Sequence, residues 1–116
     1  MTTITTTDTT VRLRFRLWEK VAGLIRDLDV PISAITSVEV APDGLAGASG
    51  LRAPGLGLPG LRKIGTWRGR GRKSLVNVRR HQPALRLRLA GQKFDEVLVG
   101  ADDAATLAEG LRSRVG

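Results

Sequence analysis

The sequence predicts a mainly β protein in which about seven short antiparallel strands form a sandwich or a partly open barrel, followed by one C-terminal helix. Runs of alternating apolar and polar residues, the period of a strand with one buried face, recur along the chain with short connections. Gly, Pro, Asp and Asn residues separate these runs. Between residues 104 and 115, apolar positions return at the spacing of a single helical stripe. The absence of predicted helices between the strands disfavours a parallel α/β sheet.

The first half of the chain contains the clearest strand. Apolar and Arg residues alternate over residues 11–17, so the arginines share one sheet face and need solvent or acids on a neighbouring strand. Residues 1–10 form a Thr-rich lead-in that we expect to be flexible, although threonine also suits an extension of the strand. Residues 21–28 fit a helix or a strand, and an internal glycine favours the strand. A further strand is predicted over residues 32–40.

The middle of the chain changes composition. Residues 41–61 are rich in Gly, Pro and Leu, which predicts a long loop without a regular element. Its leucines either bury against the domain or dock on another chain. A hairpin follows, in which a strand at residues 63–67 leads into a basic turn at residues 68–73 and a returning strand. A second pair of strands, over residues 85–99, precedes the helix, for which Asp102 is the predicted N-cap.

Composition limits the class of protein. A chain of 116 residues with 41% apolar residues indicates one folded domain, which we assign to residues 11–116. The sequence contains no Cys, so disulfides, thiolate nucleophiles and Cys-ligated metals are excluded. The net charge of +8 indicates an anionic partner or, with equal weight, solubility alone. No apolar run approaches a membrane span and no signal peptide is recognisable, so we expect a cytoplasmic protein that can attach peripherally to a membrane.

Candidate catalytic and ligand sites are weak in this sequence. A literal G-x-G-x-x-G at residues 55–60 is interrupted by Pro and lacks the strand-to-helix context of a nucleotide site. His81 is the only histidine, and we expect a surface turn residue rather than a zinc ligand. Ser74, His81 and Asp95 lack any motif that supports a catalytic triad. The sequence therefore predicts no catalytic residue, no metal site, no cofactor and no enzymatic activity.

A basic cluster in the predicted hairpin is the best functional candidate. Its cations suit phosphates or anionic headgroups, and its Trp could stack on a base or sit at a membrane interface. A solvated charge cluster is an equally weighted alternative, and for the Trp a core position is favoured. The candidate contact residues are Arg62, Lys63, Trp67, Arg68, Arg70, Arg72 and Lys73.

The closing part of the chain resembles a known family. Leu-Arg-Leu-Arg-Leu at residues 85–89, Phe-Asp-Glu-Val-Leu-Val at 94–99 and Asp-Asp-Ala-Ala-Thr-Leu at 102–107 resemble the end of bacterial pleckstrin-homology (PH)-like domains. Residues 52–60, before Gly-Thr-Trp, resemble the linker and fourth strand of small actinobacterial members. The resemblance implies a PH-like seven-stranded antiparallel β-sandwich or partly open barrel capped by one C-terminal helix. It implies binding or assembly rather than catalysis.

The resemblance carries no ligand site with it. Eukaryotic members bind phosphoinositides through paired basic residues in the first hairpin loop, whereas the corresponding turn here, residues 18–20, is short and contains an acid. We expect protein–protein or self-association as the main activity. Peripheral binding to anionic lipid through the basic hairpin is the alternative, and weak non-specific nucleic-acid binding is a third, less favoured option.

Overall fold

Nine strands, two α-helices and one short 3-10 helix form the described part of the chain. The structure is a computed structural model that describes residues 3–23, 25–44, 55–58, 62–69 and 72–115. In chain order the elements are β1 (Thr3–Thr6), β2 (Thr10–Arg14), α1 (Leu17–Gly23), β3 (Leu28–Pro31), the 3-10 helix (Ile32–Ala34), β4 (Ile35–Ala41), β5 (Gly55–Leu58), β6 (Arg62–Gly69), β7 (Arg72–Arg79), β8 (Ala84–Leu89), β9 (Glu96–Gly100) and α2 (Ala104–Arg112).

The strands form two sheets. The smaller has the order β1-β2-β3 and is antiparallel throughout, and the larger has the order β4-β8-β9-β7-β6-β5. In the larger sheet only β7 and β9 run parallel, with Leu75 opposite Val97 and Asn77 opposite Val99. The fold is therefore mainly β, with two sheets and a C-terminal helix, as the sequence predicts.

Two features of the sheets differ from the prediction. The described residues contain nine strands rather than seven, and one pair is parallel although no helix separates its strands. A parallel pair needs a long connection between its two strands, and here that connection contains β8. In the sheet β8 pairs antiparallel with β4 on one side and with β9 on the other. The sequence predicts β7, β8 and β9 as consecutive strands, and consecutive strands usually pair. It therefore gives no sign that β9, rather than β8, lies beside β7 in the sheet.

The segment after β2 is helical, which corrects the strand predicted over residues 21–28. β2 ends at Arg14, and α1 begins at Leu17 and ends at Gly23. The backbone N–H of Lys20 donates to the carbonyl of Arg16 at 3.1 Å, which closes the first helical turn. Glu19 accepts from the Arg16 N–H at 3.0 Å, as an acid at the third helical position does in a capping box. In a helix of seven residues, contacts with the rest of the fold determine the conformation more than residue propensities do, so the internal glycine did not exclude a helix.

The two low-complexity segments also contain strands. Thr3–Thr6, in the lead-in expected to be flexible, pairs with β2 and places Thr3 opposite Arg14. Gly55–Leu58, inside the segment expected to lack regular elements, pairs with β6 at the edge of the larger sheet. An edge strand tolerates glycine because its partner supplies the backbone pairing. The remainder of the predicted loop, residues 45–54 and 59–61, lies outside the described residues.

The core lies between the sheets and under α2. Apolar side chains from both sheets form one buried cluster, and the stripe predicted on α2 joins it through Ala104, Ala108 and Leu111. Leu107 and Val115 pack partly against the same cluster, so the predicted stripe is confirmed. A second cluster on the larger sheet consists of Ala41, Trp67, Val76, Val78, Ala84 and Leu98.

The start of α2 differs in one detail. The N-cap residue is Asp103, without a side-chain capping bond, whereas Asp102 accepts a hydrogen bond from Gln82 Nε2 at 3.1 Å. The other end of α2 is tied to the body of the fold, because Arg112 Nε donates to the carbonyl of Val38 at 3.1 Å. Among the described residues, no helix combines the length and apolar character that crossing a membrane requires.

Candidate functional site

The predicted basic turn is mostly strand. β6 ends at Gly69 and β7 begins at Arg72, with Arg68 opposite Lys73 and Gly69 opposite Arg72. Arg72 is exposed and Lys73 is half-buried. Arg70, and the side chains of Arg62, Lys63 and Arg68, lie outside the part that the structure describes. Of the predicted cations, the described side chains are therefore those of Arg72 and Lys73.

Trp67 is a core residue. Its side chain is 5% exposed and packs in the second apolar cluster with Val76 and Leu98. This confirms the favoured interpretation of Trp67 and removes it from the candidate contact residues. A base or a lipid headgroup cannot stack on a ring that is almost fully buried.

Lys73 has a defined position against the turn between β8 and β9. Its backbone N–H donates to Asp95 Oδ2 at 2.8 Å, and the Asp95 N–H donates to the Lys73 carbonyl at 2.7 Å. Its ammonium nitrogen lies 5.2 Å from the centre of the Phe94 ring, which is a cation–π distance. One backbone–backbone bond and one bond to the Asp95 side chain therefore fix the start of β7 beside Phe94.

An exposed apolar face on α1 is the surface that the sequence analysis missed. Leu17 is 76% exposed, Trp18 48% and Val21 67%. We call these three side chains the α1 face. Leu17 and Val21 are four residues apart, so they lie one above the other on one side of the helix. The adjacent large apolar residues Leu17 and Trp18 are the signal in the sequence for this surface. The strand predicted over residues 11–17 instead places Leu17 on a buried sheet face.

The opposite side of α1 is anchored by a buried polar contact. Glu19 has no exposed surface, and its Oε2 accepts from Nδ2 of Asn77 on β7 at 2.6 Å. Asn77 is itself buried, at the centre of the larger sheet. α1 also packs against β5 and β6. The α1 face is therefore carried by a helix that a side-chain hydrogen bond holds to the sheet.

A cleft of about 490 Å³ opens beside Trp18, with Arg16, Arg79, Asp102 and Asp103 in its walls. It carries guanidinium and carboxylate groups together, so its charge is mixed. Gln82, also in its wall, donates to the carboxylate of Asp102. Because positive and negative groups both line this cleft, its charge does not favour one class of small ligand.

One of the arginines that the sequence placed on a face of the smaller sheet, Arg14, has an ion-pair partner on the neighbouring strand. Nη1 of Arg14 on β2 lies 2.8 Å from Oδ1 of Asp29 on β3, and this hydrogen bond raises the pKa of Arg14. Asp27 accepts from the Phe15 N–H at 2.9 Å and from Lys20 Nζ at 3.0 Å. The bond from the Phe15 N–H, followed by that from Lys20, lowers the pKa of the Asp27 carboxyl. Both aspartates thus have structural partners.

The residues of the rejected catalytic arrangement have separate partners. Buried Ser74 donates to Glu96 Oε2 at 3.5 Å, while Asp95 accepts from the Lys73 N–H. His81 lies exposed in a turn, with φ of 63°, and its Nδ1 is 3.8 Å from Asp43 Oδ2. Within the described ranges, no group of three or more His, Asp or Glu side chains is placed to hold a metal ion.

Comparisons with protein-family models, with curated proteins and with solved structures find no match for this chain.

Proposed function

We propose that the chain is a non-enzymatic PH-like binding module that associates with other protein chains, copies of itself included, through the α1 face. The observation that carries the proposal is the exposure of Leu17, Trp18 and Val21 on one short helix. The two sheets and the C-terminal helix support the PH-like assignment. The nine strands and the parallel β7–β9 pair depart from the seven-stranded antiparallel plan of that fold.

The α1 face has the properties of a protein contact. Full burial of a large apolar side chain yields about 1.5–3 kcal/mol, so the exposed Leu17 and Val21 each offer a gain of up to about that size and the half-exposed Trp18 offers part of it. Trp is among the residues that most often dominate binding energy. Because Glu19 and Asn77 hold α1 to the sheet, the face is presented with little ordering cost on binding.

Self-association is the form of this proposal that can be tested directly. We would measure molar mass by light scattering over a wide concentration range for the wild type, for the double variant Leu17→Ser, Val21→Ser, and for Ala105→Ser as a control at an exposed position of α2. The expected result is a wild-type mass that rises above 12.5 kDa with concentration, a double variant that stays monomeric, and a control that behaves as the wild type.

A wild-type mass that stays at 12.5 kDa at every concentration contradicts self-association. Salt adds a second criterion. Two copies of a chain with net charge +8 repel each other, so association through an apolar face should strengthen as salt rises. Association that weakens with salt would indicate a charge contact rather than the α1 face.

Peripheral binding to anionic lipid is the second candidate, favoured by the net charge and by Trp18. A half-exposed Trp beside exposed Arg16 suits the interface of an anionic membrane. Liposome co-sedimentation at two salt concentrations tests it, with the α1 double variant compared against Arg68→Glu, Arg70→Glu, Arg72→Glu. Loss of binding in the first variant assigns the contact to α1, and loss in the second assigns it to the hairpin. A wild type that sediments with neither anionic nor neutral vesicles removes this candidate.

A further inference from the structure

A second cleft has Lys73 in its wall and contains none of the residues of the α1 face. It has a volume of about 460 Å³, within the range of ligand sites in proteins. The segment between α1 and β3, the start of β7 and the turn before β9 form its walls. We call it the Phe94 cleft, and the lining residues that matter here are Ile25, Arg26, Leu28, Lys73, Lys93 and Phe94.

Two lysines converge on one aromatic ring in this cleft. The ammonium nitrogens of Lys73 and Lys93 lie 5.2 and 5.7 Å from the centre of the Phe94 ring. Arg26 adds a third cation to the wall, and its side chain is exposed. Like charges brought into one recess repel each other, and an anionic ligand relieves that repulsion.

The carboxylate of Asp27 lies in the wall of the cleft and that of Asp95 lies close to it, and both already accept hydrogen bonds. Asp27 accepts from the Phe15 N–H and from Lys20 Nζ, and these contacts keep its pKa below the usual value. Asp95 accepts from the backbone N–H of Lys73, at 2.8 Å. The acids around the cleft therefore hold the framework together, and the lysine ammonium groups and Arg26 give the recess its positive character.

Apart from the three cations, Asp27 and Thr66, the lining residues are apolar. Leu28 is half-buried, whereas Ile25 and Phe94 are almost fully buried, so Leu28 supplies the apolar surface that the cleft leaves accessible next to the three cations. A bare inorganic anion would contact the cations and leave the apolar surface exposed to water. A ligand that carries a carboxylate beside an aliphatic side chain would use both.

We propose that the Phe94 cleft binds an acidic peptide segment in which Asp or Glu alternates with an aliphatic residue. The carboxylates pair with Lys73, Lys93 and Arg26, and the aliphatic side chain packs on Leu28. The site is pre-organised, because the Lys73 N–H donates to the Asp95 carboxylate and the Asp95 N–H donates to the Lys73 carbonyl, and these two bonds hold the turn against β7. This inference rests on the proposed protein-binding function but uses a surface other than the α1 face.

The test is a two-dimensional ¹H–¹⁵N NMR titration with the blocked peptide acetyl-Glu-Leu-Glu-Leu-Glu-amide. We expect saturable shifts of the backbone amides at residues 25–28 and 93–95 and at Lys73. The double variant Lys73→Gln, Lys93→Gln should bind about tenfold more weakly, which corresponds to about 1.4 kcal/mol shared by two lost ion pairs. The control Arg12→Gln, Arg80→Gln changes the net charge equally at two exposed positions and should bind as the wild type does.

Three outcomes overturn the proposal. Equal weakening in the control pair would show attraction to net charge only. Equal affinity for acetyl-Lys-Leu-Lys-Leu-Lys-amide would show that the cations are not used. Saturation of the same amides by inorganic phosphate at the same concentration would show recognition of a bare anion. The α1 double variant, Leu17→Ser, Val21→Ser, should still bind the peptide, so failure of the α1 proposal and failure of the cleft proposal give different results.

Discussion

Replacing Glu19 by Ala tests how the structure presents the α1 face. The carboxylate accepts the Arg16 N–H at the start of α1 and the Asn77 side-chain N–H from β7. Alanine removes both acceptors at a position with no exposed surface, where water does not replace them without rearrangement. We therefore expect α1 to loosen from the sheet and the protein to lose stability.

The magnitude follows from the two lost bonds. A buried donor left without its acceptor costs about 1–3 kcal/mol, and loss of a helix N-terminal contact costs about 0.5–2 kcal/mol. Together we expect about 3 kcal/mol, a large share of the roughly 5–15 kcal/mol that stabilises a folded domain. For a chain of this length the melting temperature should fall by about 10 °C.

Urea and thermal unfolding followed by circular dichroism measure the effect. Glu109→Ala, at an exposed position of α2, is the matched control and should change the free energy of unfolding by less than about 0.5 kcal/mol. A double-mutant cycle with Asn77→Ala should give a coupling energy of about 1 kcal/mol or more between the two side chains. If Glu19→Ala is no less stable than Glu109→Ala, the buried contact does not anchor α1 and the reasoning is wrong.

Three further predictions concern other parts of the fold. In Gly44→Ala the added methyl would lie 3.0 Å from Cβ of Val78, so the free energy of unfolding measured in urea should fall by about 1–3 kcal/mol. Gly91 has a φ of +69° with open space around it, so Gly91→Ala should cost about 1 kcal/mol of backbone strain, whereas Gly91→Asn should cost less; equal effects would contradict a conformational cause. Asp27→Asn should cost about 1 kcal/mol at pH 7, since it weakens the contact with the Phe15 N–H. Because the pKa of Asp27 is lowered in the folded state, its stabilisation is present above the unfolded pKa of about 4 and is lost as the pH falls through the lower folded value. The difference between wild type and Asp27→Asn should therefore shrink below about pH 4 in acid titrations of stability, and a difference independent of pH would contradict the assignment.

Local patterns predicted the elements whose buried face is defined by their own sequence. The α2 stripe of Ala104, Ala108 and Leu111 and the alternation along β8 each specify one face without reference to other segments. α1 was not predicted because its N-cap residue is Arg16 rather than Ser, Thr, Asp or Asn. Only the acid at its third position indicated the start of a helix. β5 was not predicted because its strand conformation depends on pairing with β6, and a Gly-rich sequence gives no pattern that indicates such pairing.

Arg72 and Lys73 show how two cations that are adjacent in sequence are separated in the fold. Successive residues of a strand face opposite sides of the sheet, so the strand at residues 72–79 places Arg72 and Lys73 on opposite faces. Lys73 falls beside Phe94, where Lys93 and Arg26 meet it from segments 20 and 47 residues away. Arg72, its neighbour in sequence, is exposed and is not part of that wall. The sheet order that brings these cations together depends on the parallel β7–β9 pair, which places the turn before β9 against the start of β7. Since that pairing was not visible in the sequence, Lys73 could be identified as a candidate from the sequence, but its partners in the cleft could not.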